Sequence, residues 1–204
     1  MIENCKLMPH RYGVIKKNQK SCEAFLKFCP DFHLHEDLLA SDYIEHLYNE
    51  YKGADIESTN SLNGAIFELI IYTVLIRAKI VPFYIQSSVA FVPNVRYDIL
   101  LNSKEYGPIG LSLKTSLRER YKQADLESYV LKNVHRNSKS FIITADAKEA
   151  DNVNLKIENG DLLALNRVYH YSEVNELIDF LKNLTLVEPV NIPIITGKEV
   201  KEVL

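Results

Sequence analysis

Apolar residues recur at spacings of three and four from Cys22 to Phe28 and again from Asp37 to Tyr51, with Pro30 between the two stretches. Residues 19–53 are therefore expected to be mainly helical. The next segment, NSLNGAIFELIIYTVLIRAK, has no Pro and keeps its only Gly in the first turn, so Asn60 or Ser61 is expected to cap a helix running to about Lys79. That helix is apolar nearly all round, the pattern of an element at the centre of a fold.

After it the period changes. VPFYIQSSVAFV, VRYDILLN and GPIGLSLKTSL are short, rich in β-branched and aromatic residues, and separated by Pro93-Asn94 and by Lys104 to Pro108. Three strands joined by turns are expected, most simply as an antiparallel meander. RERYKQADLESYVLKNVHRN returns to helical spacing, SKSFIITA reads as a buried strand, and LLALNRVYHY followed by SEVNELIDFLKN reads as strand then helix. The order is αβββαβ with a helical N-terminal addition and a last βα unit, an α/β protein. Residues 1–59 form the helical subregion, 60–184 the core, and 185–204 a peripheral tail containing Pro189 and Pro193, all expected within one domain.

Composition narrows the class. The chain has 204 residues, 47% of them apolar and 25% charged, which supports a real core and excludes disordered or fibrous classes. The longest apolar stretch, Leu69 to Ile76, stops at Arg77, well short of the ~18–20 residues of a membrane span. No secretory pattern opens the chain, so a cytoplasmic protein with no membrane partner is expected. Cys5, Cys22 and Cys29 are odd in number and are expected to be reduced. With His33 and His35 they include zinc-binding types, but not at the paired spacings of structural zinc sites, and they are read as packing and surface residues. Net charge is −3, yet residues 101–140 hold eight basic side chains against four acidic ones. That window can form a basic surface on an acidic body, or simply a solvated helix face.

Three residues break the local pattern. Glu68 stands inside IFELIIYTVLI, where a carboxylate needs a partner or a cation, or else lies at a half-exposed helix edge. Asp98 lies mid-strand in VRYDILL, where Asp is disfavoured. Lys114 follows Ser112 by two residues in GLSLKTS and so shares its face. Each has an ordinary structural explanation. Together, two acids and a lysine on a helix and two successive strands make a coherent hydrolytic site around an oxygen-ligated cation.

NGAIFE on a helix, Asp98 in the second strand, SLK at 112–114 and a basic helix afterwards resemble the PD-(D/E)xK nucleases, and most closely the type II restriction endonucleases. The resemblance covers roughly residues 60–145, with SLKTSLRERYKQAD as its most specific part. It implies a restriction-endonuclease-like αβββαβ core, a mixed sheet flanked by helices. Two positions depart from the pattern: Tyr97 stands where many members have Pro, and Ser112 where they have Asp or Glu. The acid that compensates for Ser112 is sought first at Glu68, then at Glu127, then at Glu119.

The resemblance implies Mg²⁺-dependent phosphodiester hydrolysis, with Mn²⁺ able to substitute. Asp98 and Glu68 would hold the ion with the Leu113 carbonyl, or with Glu127 if that is the second acid. Lys114 would orient the attacking water, and Ser112 would offer only a hydroxyl. Thr115, Ser116, Arg118, Arg120, Lys122 and Gln123 follow the site and are the candidate contacts to double-stranded DNA. A homodimer is expected, because cutting both strands of a symmetric site takes two centres, and a cognate DNA methyltransferase would be the functional counterpart. A repair nuclease, nickase or junction resolvase, and a DNA-binding module with a decayed site, stay open as alternatives. His135 and His170 form no His-Asn-His type cluster, and Gly64 and Gly110 belong to no phosphate-binding GxxxxGK[ST] loop.

Overall fold

The computed structural model describes residues 12–15, 19–89, 91–189 and 198–201. Three helices come first: α1 (Lys20–Phe28), α2 (Ala40–Gly53) and α3 (Asn60–Arg77). The cap of α3 is Thr59, whose side chain accepts the Leu62 N–H at 3.1 Å, one residue before the expected Asn60. A β-region φ and ψ at Thr59 suits that role. Strands β1 (Phe83–Ser87), β2 (Tyr97–Ser103) and β3 (Gly107–Lys114) follow, then α4 (Arg120–Val134), β4 (Lys139–Thr144), α5 (Ala147–Glu158), β5 (Arg167–His170), α6 (Val174–Lys182) and β6 (Lys198–Val200).

The strands form one sheet in the order β5-β4-β3-β2-β1-β6. β1, β2 and β3 are the antiparallel meander expected from their short connections, while β4 and β5 continue in parallel after helical crossovers. The sheet is mixed and flanked by helices, as the element order implied. Alternation along β4 sorts the layers: Phe141 and Ile143 pack with α1, α2, α3 and α6, and Ile142 packs with α4 and α5. From Ile66 to Ile76, α3 has ten buried residues, with Glu68 the exception. The helix apolar all round is the helix enclosed on all sides.

Three local results differ from the hydrophobic pattern. Helix α5 has only Ala150 and Val153 buried, a stripe too thin for periodicity to flag; its mark is the Asp146 cap, whose side chain accepts the Glu149 N–H at 3.0 Å. β5 is shorter than expected because Asp125 of α4 accepts the N–H groups of Leu163, Ala164 and Leu165 at 2.8–3.0 Å, holding that segment as a loop. Part of the stretch expected to be peripheral joins the sheet: β6 pairs antiparallel with β1 through Phe83↔Val200, and Val200 is fully buried. Pro193 and Cys5 lie outside the described residues.

Candidate active site

The β2–β3 hairpin is paired from Ser103↔Gly107 as far as Ile99↔Leu111. Beyond that point β2 stays with β1, through Ser87↔Tyr97, and β3 stays with β4, through Leu113↔Ile143 and Lys114↔Thr144. The sheet is thus forked, with Asp98 on one prong and Lys114 on the other. Tyr97 helps shape the fork. A Cβ on Gly110 would lie 2.3 Å from the Tyr97 ring, so the ring crosses β3 over a glycine, and its hydroxyl meets that of Ser140 on β4 at 3.2 Å. The aromatic ring at this position is accommodated by the missing side chain at residue 110.

Asp98 bridges the fork. Its Oδ2 accepts the Leu113 N–H at 2.7 Å and the Lys114 ammonium at 2.9 Å, and its Oδ1 accepts the Gln86 amide at 3.0 Å. The carboxylate therefore takes a main-chain donor that the ladder would have given to a carbonyl. The ion pair is mostly shielded, with the Asp98 side chain 14% exposed and that of Lys114 27%.

Two further carboxylates approach from opposite layers. On α3, burial and the charge of Asp98 push the Glu68 carboxyl above its ordinary range, against the pull of Tyr72, Lys114 and Gln86; Tyr72, one turn on, donates to Glu68 Oε2 at 3.1 Å. On α4, burial likewise raises Glu127, which Gln123 and the charge of Lys114 pull back and the charge of Asp98 pushes further. Both acids feel the Asp98–Lys114 pair. Among the described residues, however, no group of three or more His, Cys, Asp or Glu side chains is gathered closely enough to hold a metal ion. Ser112, buried between Leu111 and Leu113, offers only a hydroxyl there. Of Leu113, it is the N–H that is engaged at the site.

The donor chemistry suits a small hard cation: carboxylate oxygens set in a half-buried position where the charge of Asp98 already raises the proton affinity of Glu68 and Glu127. A cleft of about 470 Å³ opens on the α3 side, with Glu68, Tyr72, Gln86, Arg96 and Lys198 in its wall.

The expected DNA contacts divide into two groups. Thr115 and Ser116 are half-buried just past the end of β3, whereas Arg118, Arg120, Lys122 and Gln123 are exposed. Lys122 pairs with Glu119 at the exposed surface, and Gln123 donates to Glu127 at 2.8 Å. Arg118 and Arg120 form no ion pair among the described residues. The turn carrying Arg118 has its main chain occupied: Glu149 of α5 accepts the N–H of Leu117 at 2.5 Å through one oxygen and that of Arg118 at 2.9 Å through the other. Those N–H groups face a carboxylate and are not free to meet a phosphate.

The remaining residues weighed from sequence lie elsewhere. Cys22 and Cys29 are buried in the core, His33 contacts Glu36 and Tyr12, and His35 stacks on His46 at 4.5 Å between ring centroids. His170 caps the turn before α6 by accepting the Ser172 N–H. Sequence reasoning missed Gln86 and Tyr72. Tyr72 was legible as the residue one helical turn from Glu68; Gln86 had only its polarity within an apolar strand as a signal.

No known family model and no curated protein sequence matches the chain. Among solved structures it is similar to one described as a restriction endonuclease PspGI–substrate DNA complex, at 16% identity and a TM-score of 0.47 over 84% of this chain and 70% of that one. A likeness of that size carries no functional weight by itself.

Proposed function

We propose that the protein is a metal-dependent endonuclease that hydrolyses phosphodiester bonds in double-stranded DNA, in the manner of a type II restriction enzyme acting at a specific sequence. The observation that carries this reading is the Lys114 ammonium 2.9 Å from Asp98 at the mouth of a forked sheet, with the half-buried Glu68 close enough to feel both charges. Asp98 and Glu68, with the Leu113 carbonyl, would hold Mg²⁺ or Mn²⁺. Such an ion, when bound, supplies positive charge to the scissile phosphate and lowers the pKa of a coordinated water.

The chain's own groups do the rest. Lys114 is fixed by Asp98 at the fork and positions the water that attacks phosphorus. Burial of Glu68 keeps that carboxylate short of competing water, which favours a cation over bulk solvation as its partner. Arg118 and Arg120, exposed and without ion pairs among the described residues, would meet backbone phosphates. A homodimer and a protective methyltransferase complete the reading, because cleavage of both strands needs two centres and the host's own DNA needs shielding.

A second reading has its own support. Ser112 in place of an acid, and no closed three-carboxylate group among the described residues, favour a DNA-binding module that no longer cuts. Incubation of the purified protein with a large DNA and Mg²⁺ or Mn²⁺ separates the readings. Discrete double-stranded fragments, abolished in Lys114→Ala, support the first. Binding without cleavage supports the second, and nicks or junction-specific products support a repair nuclease or resolvase.

A further inference from the structure

Gln86 occupies an unusual place for a strand residue. Its φ is +50° within β1, a left-handed conformation that residues other than Gly rarely adopt. Its carbonyl receives the Arg96 Nε–H at 3.1 Å, which ties this strained point to the following loop. Its side-chain amide donates to Asp98 Oδ1 at 3.0 Å. One neutral amide thus holds the Asp98 carboxylate while lining the same cleft as a second carboxylate, Glu68.

A primary amide exchanges a donor for an acceptor of almost the same shape by a half-turn about its last side-chain bond. With no cation present, the NH₂ end satisfies Asp98. With a cation held by Asp98, the NH₂ end would face positive charge and the carbonyl end would be the favourable one. Amide carbonyls are ordinary ligands of hard cations, and Ser112 brings only a neutral hydroxyl to this site. We propose that Gln86 is an exchangeable part of the cation site: its Nε2 holds Asp98 when no cation is bound, and its Oε1 becomes a neutral ligand when a divalent cation enters.

This inference rests on the nuclease reading of the site, and its test separates the two. Mn²⁺ binding is followed by electron paramagnetic resonance in the wild type, Asp98→Asn and Gln86→Leu, and the Gln86 side-chain amide is followed by nuclear magnetic resonance in the wild type during Mg²⁺ titration. The expected results are Mn²⁺ binding lost in Asp98→Asn, binding weakened ~10-fold or more in Gln86→Leu, and a Gln86 amide signal that moves in step with Mg²⁺ occupancy. If Gln86→Leu binds Mn²⁺ like the wild type, or the amide signal stays in place at saturating Mg²⁺, the Gln86 role is overturned while the site stands. If the wild type binds no more Mn²⁺ than Asp98→Asn, the cation site falls and the Gln86 role with it. The amide measurement needs no variant, so it decides the question even if Gln86→Leu fails to fold.

Discussion

Asp98 and Leu113 are joined by a 2.7 Å hydrogen bond from the Leu113 N–H to Oδ2, so the same carboxylate that anchors Lys114 also ends the β2–β3 ladder. Structure and chemistry meet on one oxygen. Asp98→Asn keeps an acceptor for the Leu113 N–H but loses the charge, whereas Asp98→Ala leaves the Leu113 and Gln86 donors unsatisfied. Asp98→Ala should lower stability by about 1–3 kcal/mol, more than Asp98→Asn does, while both abolish cleavage. Urea denaturation beside a cleavage assay checks this; equal stability losses would contradict the role in the ladder.

Glu68 and Glu127 compete for the place of the second acid. Glu68 is the more enclosed, accepts from Tyr72 and lines one cleft with Gln86, the partner of Asp98, while Glu127 is tied to the exposed Gln123. Glu68→Gln is expected to reduce Mg²⁺-dependent cleavage by ~10²-fold or more, and Glu127→Gln by less. The reverse order, measured as kcat at saturating Mg²⁺, would move the second ligand from α3 to α4. Glu68→Gln should also raise the thermal stability of the metal-free protein, since it removes a charge held in a buried site beside Asp98.

The turn held by Glu149 gives a prediction whose sign is informative. Arg118→Ala should weaken DNA binding and reduce the slope of log affinity against log salt by about 1 if Arg118 meets a phosphate. Glu149→Ala removes a negative charge, which by simple electrostatics should strengthen binding to DNA. It is expected instead to weaken binding, because the Leu117–Arg118 main chain, with Arg118 at φ +41°, loses the carboxylate that shapes it. Tighter binding in that variant would mean that the turn needs no such support.

His135 sets a pH dependence unrelated to the cleft. Its Nε2 is buried without a partner among the described residues, and burial lowers its pKa from the ordinary 6.5. Below that ordinary value the unfolded chain takes up a proton more readily than the folded one, so stability is present above it and is lost as the pH falls toward the folded value. His135→Leu should therefore gain stability relative to the wild type on going from about pH 8 to about pH 5. Thermal melts across that range check it, and a constant difference would exclude the ring as the source.

How much of this was legible in the chain depends on how far apart the deciding residues lie. The long apolar helix, the meander and the Asp98, Lys114 pair could be read because period and spacing are local, and because a hairpin brings residues sixteen apart together. The occupants of the Arg118 turn could not be read: Glu149 reaches it from a helix thirty-odd residues on, one whose apolar stripe is nearly absent. Gln86 was hidden for a similar reason, since a polar residue in a strand does not announce a left-handed φ. The shortening of β5 likewise comes from Asp125, a side chain on a different element.

Among the described residues, the outermost strands of the sheet have four residues at β5 and three at β6. Unpaired main-chain groups along such short borders are few, so a neighbouring molecule finds little template on which to add a strand. Two copies that come together to cut opposite strands would accordingly have to recognise each other through side chains on the helical layers or loops. The borders themselves guard against runaway sheet extension between molecules.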